Sequence, residues 1–373
     1  MDVTMKCGAL AKELAFAANV VSRKATATNP VLASVLIDAE PMTMAVKLSA
    51  TDLDLAVRSS CVAAIATPGR ILIPAKRLHE MARLFPAETD LRVFADARGA
   101  VRVTCEKYDS RLAGFAVADF PALPAPNGET PSTLAAATLA ALAAKVAFAV
   151  VEGDQRYYLA GARMELTPGS VRFVATDSHR LAIAAAARPD DGVEIAALVP
   201  GRALRELKPM FESGGDVAFA LGEKHLFFSA GQRLLAATLA AGEFPKYDRI
   251  VPRPGVNDKR VVVNRERFAL AIKRVQLATT ETSRNVVFTI DGGAVLVSAA
   301  SQEVGDASER VEAPYDGPKT TVRLNAQYVL DFLEAADGTE IAIEVKDDVS
   351  PVLLRQVDET ATDYLNVVMP VAL

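Results

Sequence analysis

The sequence predicts an α+β protein made of three copies of one domain. An Ala-Thr-Asp motif at 50–52 returns at 175–177, an offset of 125 residues. In each copy a helical apolar pattern, with apolar residues three or four apart, is combined with strands whose apolar residues alternate. The 373 residues also divide into three domains of ordinary size. We expect these domains at 1–125, 126–253 and 254–373.

Two further sequence markers recur once in each copy. Their neighbouring members are 124 to 126 residues apart. The members of the two sets are Pro74, Pro200 and Asn325, and then Phe120, Phe244 and Met369. Markers in the same order and at the same spacing indicate internal repeats.

Each copy is predicted to contain two helices. The first helices lie at 9–22, at 134–150 and from Arg265 onward, each with an apolar stripe at helical spacing. The second helices begin at Pro74, Pro200 and Asn325. The two prolines suit a helix start, because proline in that position loses no hydrogen bond. Proline-rich and glycine-containing segments at 121–131 and 252–255 are typical of linkers.

The second copy contains an unusual polar turn between two predicted strands. Thr176, Asp177 and Ser178 carry side chains that bond to their own backbone and so end a strand. The residue types of Asp177, Ser178 and His179 also match a Ser-His-Asp triad, but a triad is built from side chains that converge from separate parts of a fold. We therefore predict a structured turn that shapes a binding surface, and no catalytic residue.

Composition limits the remaining function classes. A net charge of −5 and a pI near 5.5 give no overall signature of a nucleic-acid binder. Cys7, Cys61 and Cys105 lack metal-ligand spacing, so we expect buried reduced thiols and neither a metal nor another cofactor. No apolar leader and no long apolar run occurs, so we expect a soluble cytoplasmic protein without a membrane segment.

Basic residues are concentrated on the predicted helices. Five of the six helices carry Lys or Arg on their outer faces although the whole chain is acidic. One charged helix is an ordinary solvated surface, but five together favour a positive surface that contacts DNA phosphates without reading sequence. No base-reading motif such as a helix-turn-helix is evident.

Over its whole length the sequence resembles the bacterial DNA polymerase III beta subunit, the replicative sliding clamp. The motifs that carry the resemblance are Gln-Arg-Tyr-Tyr-Leu at 155–159, Ala-Thr-Asp-Ser-His-Arg-Leu-Ala at 175–182, Gly-Glu-Phe-Pro-Lys-Tyr-Asp-Arg at 242–249, Asn325 with Tyr-Val-Leu-Asp at 328–331, and Val-Val-Met-Pro at 367–370. The resemblance implies three DNA-clamp domains per chain and a head-to-tail dimeric ring. Helices would line the channel and antiparallel sheets would lie outside.

The resemblance also implies partners and contact residues. The partners are encircled double-stranded DNA, a second copy of the chain, the DNA polymerase III catalytic subunit, the clamp loader and other proteins with a short clamp-binding motif. The implied DNA contacts are Arg23, Lys24, Lys76, Tyr157, Tyr158, Arg202 and Arg205. Packing of one tyrosine of the 157–158 pair in the core is an equally open reading. The implied dimer contacts are Leu112, Leu277 and Ala278.

A pocket for linear peptides is the second implied site. Its residues by position are Leu159, Thr176, Ser178, His179, Arg180, Leu181, Pro245, Arg249, Ile250, Asn325, Tyr328, Val349, Val367, Met369 and Pro370. Apolar walls would gain by burial of a peptide's apolar anchors, and His and Arg groups would fix its direction.

The sequence departs from the family pattern around this pocket. The departures are Ser178 where Gly is usual, Ser283 where an aromatic is frequent, Pro351 where a small hydroxyl residue is common, and Val371 and Ala372 where Met-Arg is usual. We expect a working pocket with altered peptide preference. Two roles stay open beside that of the housekeeping clamp. One is a second clamp copy, for instance with resistance to a pocket-binding inhibitor, and the other is a clamp-fold scaffold that does not close on DNA.

Overall fold

A computed structural model describes residues 1–21, 29–40, 42–96, 98–151, 157–210, 214–240, 242–280, 283–358 and 362–372, without the side chains at 157, 208 and 209. The α-helices within these residues are α1 (Cys7–Val20), α2 (Ala75–Arg83), α3 (Ala136–Val146), α4 (Gly201–Met210), α5 (Arg265–Val275) and α6 (Ala326–Ala335). They correspond to the six predicted helices. No helix in the described part of the chain is long and apolar enough to cross a membrane.

The strands are numbered along the chain. The first twelve are β1 (Asp2–Lys6), β2 (Ser34–Ala39), β3 (Ala45–Thr51), β4 (Leu55–Thr67), β5 (Gly69–Pro74), β6 (Asp90–Ala95), β7 (Ala100–Cys105), β8 (Tyr108–Ala113), β9 (Ser132–Ala135), β10 (Gly161–Thr167), β11 (Ser170–Thr176) and β12 (Arg180–Ala187). The others are β13 (Ile195–Pro200), β14 (Asp216–Leu221), β15 (His225–Ala230), β16 (Arg233–Thr238), β17 (Lys259–Asn264), β18 (Asn285–Asp291), β19 (Ala294–Ser301), β20 (Gly305–Glu312), β21 (Thr320–Asn325), β22 (Glu340–Val345), β23 (Val352–Gln356) and β24 (Thr362–Val368).

The chain forms two compact units. The first unit contains Met1–Ala137 and Glu206–Leu239, and the second contains Thr138–Arg205 and Ala240–Leu373. The first unit has one sheet of 12 strands along the path β8-β7-β6-β1-β4-β16-β15-β14-β9, with β3 on β4 and β2 between β3 and β5. The second unit has a sheet of 8 strands in the order β13-β10-β11-β12-β24-β23-β22-β17, and a sheet of 4 in the order β20-β19-β18-β21. The strand pairs are antiparallel.

Strand pairing joins neighbouring sequence repeats. β16 of the second copy pairs with β4 of the first, and β24 of the third copy pairs with β12 of the second. The compact units therefore divide the second repeat, although the sequence markers place that repeat in one continuous segment. The predicted domain limits of 1–125, 126–253 and 254–373 stay predictions.

Helix starts follow from strand pairing. Pro74 ends β5 opposite Ser34, and Pro200 ends β13 opposite Gly161, so α2 and α4 begin one residue later than predicted. A terminal strand position suits proline because its carbonyl can still accept a hydrogen bond. In the third copy Asn325 is the N-cap of α6, and its side chain accepts the backbone N–H of Gln327.

The three cysteines are buried free thiols, as predicted. The sulfur atoms of Cys7 and Cys105 are 3.8 Å apart. Burial, followed by the neighbouring Cys105 thiol, raises the pKa of Cys7 to about 12, and burial raises the pKa of Cys61 to about 11. The thiols of Cys7 and Cys61 are therefore protonated and unreactive at neutral pH.

Candidate peptide-binding site

The turn between β11 and β12 is fixed by its own side chains. The Thr176 hydroxyl donates to the Arg180 carbonyl at 2.7 Å and accepts the N–H of Ser178 at 3.2 Å. One carboxylate oxygen of Asp177 accepts the backbone N–H groups of His179 and Arg180, both at 2.9 Å. These bonds hold Ser178 at φ 78°, in the left-handed region that favours glycine. The predicted structured turn is confirmed.

Arg180 joins this turn to two other segments of the second unit. Its Nε donates to Asp177 at 2.9 Å, one Nη to Asp331 on α6 at 2.5 Å, and the other to the Phe148 carbonyl at 2.7 Å. The guanidinium carbon lies 4.7 Å from the Phe148 ring centre and 4.4 Å from that of Tyr328. The side chain is only 8% exposed. Arg180 therefore positions the turn and Tyr328, and its guanidinium is already engaged within the chain.

Three predicted residues meet at the edge of this arrangement. The exposed ring of His179 stacks on Tyr328 with ring centres 6.4 Å apart and an interplanar angle of 23°. The His179 carbonyl accepts the N–H of Met369 at 2.9 Å. Burial raises the pKa of Tyr328, and the nearby Asp177 carboxylate adds to this shift, so the phenol stays neutral. We call Thr176, His179, Arg180, Tyr328 and Met369 the His179 site.

An apolar cluster lies beside the His179 site. Leu181 on β12 is directly opposite Val367 on β24, and both are 1% exposed. The other buried members are Val174, Ile183, Leu198, Phe244, Tyr247, Leu353 and Leu365. The wall residues predicted on β12 and β24 are thus part of the packed core of the second unit.

Several apolar side chains of the predicted pocket are exposed and could contact a peptide. Met369, directly after β24, is 40% exposed, and Ile250, after the Phe244–Tyr247 part of the cluster, is 39% exposed. Val349 is 71% exposed on the turn between β22 and β23, where Asp347 accepts its N–H at 3.2 Å. Arg249 is exposed and Pro245 and Pro370 are partly buried, whereas Leu159 is 1% exposed. These side chains can offer apolar anchor points with a cationic rim.

Two residues that position the site were missed in the sequence. Phe148, in the helical turn after α3, supplies both a carbonyl and a ring to Arg180. Asp331 pairs with Arg180 and also accepts from the side chain of Gln327 at 2.6 Å. Asp331 belongs to the Tyr-Val-Leu-Asp motif at 328–331, which was a usable signal, but nothing in the sequence indicates that Phe148 meets residue 180.

Val371 and Ala372 are attached to β21. Arg323 donates from its guanidinium to the Ala372 carbonyl at 2.7 Å, and its own carbonyl accepts the N–H of Val371 at 2.9 Å. Arg323 therefore holds Val371 and Ala372 against β21.

The predicted DNA contacts have varied positions. Lys76 on α2 and Arg202 on α4 are partly buried, and Arg205 on α4 is exposed. Tyr158 packs against the apolar cluster, which matches the core-packing reading for this residue. Arg23, Lys24 and the side chain of Tyr157 lie outside the described residues.

The predicted dimer residues also differ in exposure. Leu277 is 75% exposed, whereas Leu112 is 9% and Ala278 7% exposed within the chain. Leu112 lies on β8, which ends the 12-stranded sheet, and Gln276–Ala278 is a helical turn after α5.

The fold and the site define a three-domain α+β clamp. Profiles of the N-terminal, central and C-terminal domains of the DNA polymerase III beta subunit match residues 1–124, 133–246 and 249–372. The beta sliding clamp of Pseudomonas aeruginosa is 30% identical over 380 residues, and that of Caulobacter vibrioides is 30% identical over 377. These alignments cover 100% and 99% of both chains, respectively.

Solved structures give the same result. The DNA polymerase III subunit beta of Pseudomonas aeruginosa has a TM-score of 0.91 at 29% identity, with full coverage of both chains. A sliding clamp from Bartonella birtlesii, solved bound to griselimycin, has a TM-score of 0.91 at 31% identity, again with full coverage. The chain belongs to the DNA polymerase III beta subunit family, the beta sliding clamps, which are non-catalytic processivity subunits.

Proposed function

We propose that two copies of this chain close head to tail around duplex DNA and tether a polymerase through peptides bound at the His179 site. The observation that carries the proposal is similarity to sliding clamps over the whole chain, motifs of the His179 site included. The proposed partners are the DNA polymerase III catalytic subunit, the clamp loader and other proteins with a clamp-binding motif. The proposed location of the protein is the cytoplasm. The proposed domains are 1–125, 126–253 and 254–373.

Topology explains how such a ring would work. Escape from closed DNA requires opening an interface, so phosphate contacts can be weak and can break and re-form as the ring slides. The first experiment measures mass by light scattering and retention on nicked circular DNA after loading. We expect twice the chain mass of 39.6 kDa, retention on circles and loss when the DNA is cut. A monomer, or equal retention on circular and cut DNA, would contradict the clamp function and favour a protein scaffold that does not close on DNA.

The DNA contact is proposed at Lys76, Arg202 and Arg205, with Arg23, Lys24, Tyr157 and Tyr158 as the other family positions. Phosphate contacts by Lys and Arg give a DNA affinity that falls with salt concentration. In a plot of the logarithm of the binding constant against the logarithm of the salt concentration, each contact contributes about one unit of slope. Replacing the three described basic residues by Glu should shorten retention on circular DNA and leave peptide affinity unchanged.

A matched triple variant makes this test specific. Lys107, Lys224 and Lys319 are exposed and lie outside the helices, so their replacement by Glu makes the same charge change elsewhere. Equal loss of retention in both triples would mean that only net charge matters.

The ring interface is proposed at two sheet edges. β8 ends the sheet of the first unit and β20 ends the 4-stranded sheet of the second, and an edge strand can pair with another chain. Two different edges suit a head-to-tail contact, which buries unlike surfaces. The proposed apolar contacts are Leu277, with Leu112 and Ala278 beside it.

A pair of exposed apolar positions tests this interface. Leu277→Asp should halve the mass in solution, because it places a charge in the contact. Val62, which is 74% exposed on β4, is the matched control, and Val62→Asp should leave the dimer intact. A dimer in both variants would exclude this interface.

The peptide site is proposed to take apolar anchors on the exposed side chains near Met369 and to orient the peptide through His179. The proposed pocket members are Leu159, Thr176, Ser178, His179, Arg180, Leu181, Pro245, Arg249, Ile250, Asn325, Tyr328, Val349, Val367, Met369 and Pro370. Buried apolar area contributes about 25 cal/mol per Å², so the two or three anchors of a short motif can give measurable affinity.

A second candidate function is that of a clamp copy with an altered pocket. It is favoured by Ser178, which occupies a left-handed backbone position where the family usually has glycine. Griselimycin is a useful probe, since a related clamp was solved with it. Weak binding that Ser178→Gly restores would support this second role. Tight binding to the unchanged chain would exclude inhibitor resistance.

A further inference from the structure

A cavity of about 570 Å³ lies in the first unit, and none of its lining residues belongs to the His179 site. One side is apolar, with Leu36, Phe120 and Leu123 in its lining. Between them, side chains of the sheet supply polar groups, including Ser49 and Arg58. The size is within the range of small-ligand and peptide pockets, about 300–1,000 Å³.

The same place in the second unit is filled. Ser49 on β3 is opposite Arg58 on β4, as Val174 on β11 is opposite Ile183 on β12. Val174 and Ile183 belong to one continuous apolar cluster. In the first unit the equivalent positions form two separate clusters, one containing Leu36 and Leu72 and the other containing Ala56 and Ala236. Ser49 and Arg58 replace the apolar residues that would connect them.

A tyrosine also accounts for the filling in the second unit. The hydroxyl of Tyr247 donates to Glu165 at 2.7 Å and accepts from Arg172 at 3.1 Å. The equivalent of Tyr247 in the first copy is Leu123, three residues after Phe120 as Tyr247 is three after Phe244. Leucine is shorter than tyrosine and has no hydroxyl, so Leu123 cannot fill the volume that the Tyr247 ring and hydroxyl fill. The cavity of the first unit therefore stays open.

Arg58 is the unusual group in this cavity. It is partly buried, and one Nη donates to the Leu123 carbonyl at 2.8 Å. Burial lowers its pKa, and among the described residues no carboxylate lies within ion-pair distance. The two lining carboxylates have other partners, since Asp38 pairs with Arg70 at 3.1 Å and Glu40 with Lys47 at 2.6 Å. A partly desolvated cation without an anionic partner is unfavourable until an anion binds.

We propose that this cavity binds an acidic peptide segment, with a carboxylate on the Arg58 guanidinium and the adjacent apolar side chain against Leu36 and Phe120. An apolar side next to polar groups matches a peptide in which an apolar residue and an acidic residue are neighbours. Ser49 and Ser60 can accept or donate hydrogen bonds to the peptide backbone. The site is separate from the His179 site, which belongs to the second unit.

The test compares two dipeptides on the full chain by ligand-observed NMR titration. N-acetyl-Phe-Asp-amide should bind saturably and at least about tenfold more tightly than N-acetyl-Phe-Asn-amide, because a hydrogen bond between a guanidinium and a carboxylate is stronger than one to a neutral amide. Arg58→Gln should remove this preference, whereas the exposed Arg310→Gln on β20 should keep it. Equal binding of the two dipeptides, or an unchanged preference in Arg58→Gln, would overturn the proposal.

Two further arms locate the ligand and identify its class. Tyr328→Ala should not change dipeptide binding, and a loss there would move the site to the second unit. Inorganic phosphate should not displace the dipeptide at equal concentration, and displacement would mean a general anion site. Arg58→Ile, which installs the second unit's residue, should abolish binding and raise the melting temperature. Loss of binding in a variant with a higher melting temperature would show that the binding site is lost while the fold is kept.

Discussion

In the turn between β3 and β4 the Thr51 hydroxyl donates to the Leu55 carbonyl at 2.7 Å, as Thr176 does to Arg180 in the turn between β11 and β12. The carboxylate of Asp52 also accepts two backbone N–H groups of its turn, as Asp177 does in the other. Identical local chemistry thus recurs at an offset of 125 residues.

The third residue of each turn has a left-handed backbone conformation, but the surroundings of the two turns differ. Leu53 has φ 82° and Ser178 has φ 78°. The first turn ends in Leu55, which is 1% exposed and packs in the apolar core. The second ends in Arg180, which binds Asp331 and the Phe148 carbonyl. The comparison teaches that the turn is a scaffold made by the local sequence, and that the residue after it joins only the second turn to other segments.

The largest effect is expected for Arg180→Ala. It leaves Asp331 and Asp177 without their cation, and removal of one partner from a buried ion pair costs about 3–5 kcal/mol. Urea unfolding should show this loss of unfolding free energy, together with loss of peptide binding.

The exposed ion pair of Arg355 with Asp363 is the control for this variant. Arg355→Ala should lower stability by no more than about 1 kcal/mol. A similar small loss for Arg180→Ala would mean that Arg180 does not position the site.

A smaller and matched effect is expected for Thr176→Val and Thr51→Val. Each removes a hydroxyl that donates to a carbonyl and accepts a backbone N–H, so each should cost about 1–3 kcal/mol. Peptide affinity, measured by fluorescence anisotropy, should fall only for Thr176→Val. A fall for both would contradict the assignment of the peptide site to the second turn.

Glycine at the left-handed positions should stabilise both turns. A left-handed conformation costs a side-chain-bearing residue about 1–2 kcal/mol, and glycine loses part of that gain through its larger unfolded-state entropy. Ser178→Gly and Leu53→Gly should each therefore raise the unfolding free energy by about 0.5–1 kcal/mol. Thermal unfolding checks both, and a loss of stability in either would show that its side chain makes a contact that outweighs strain.

The smallest change in stability is expected for His179→Ala. His179 is exposed, so the unfolding free energy should change by less than about 0.5 kcal/mol. Loss of its stacking on Tyr328 should weaken peptide binding about threefold to tenfold, the range for an aromatic pair. The equivalent Asp54→Ala in the first turn should leave peptide binding unchanged, and weakening in that variant would point to an indirect effect.

Much of this fold could be predicted from the residues because the determining signals are local. Apolar periodicity located the six helices, and the alternation of Val171, Phe173 and Ala175 located β11. The Thr-Asp pair specified its turn, since its hydrogen bonds stay within five residues. The spacing of the markers revealed the repeats, and the motifs of the second and third copies indicated the family.

Other features required the tertiary structure, because they depend on pairing between distant segments. The pairing of β4 with β16 and of β12 with β24 divides the second repeat between two compact units, and no sequence marker indicates it. The burial of Arg180 between Phe148 and Tyr328 also depends on three segments meeting. Sequence determined which side chains each turn carries. Tertiary packing determined which of those side chains are structural and which remain accessible to a partner.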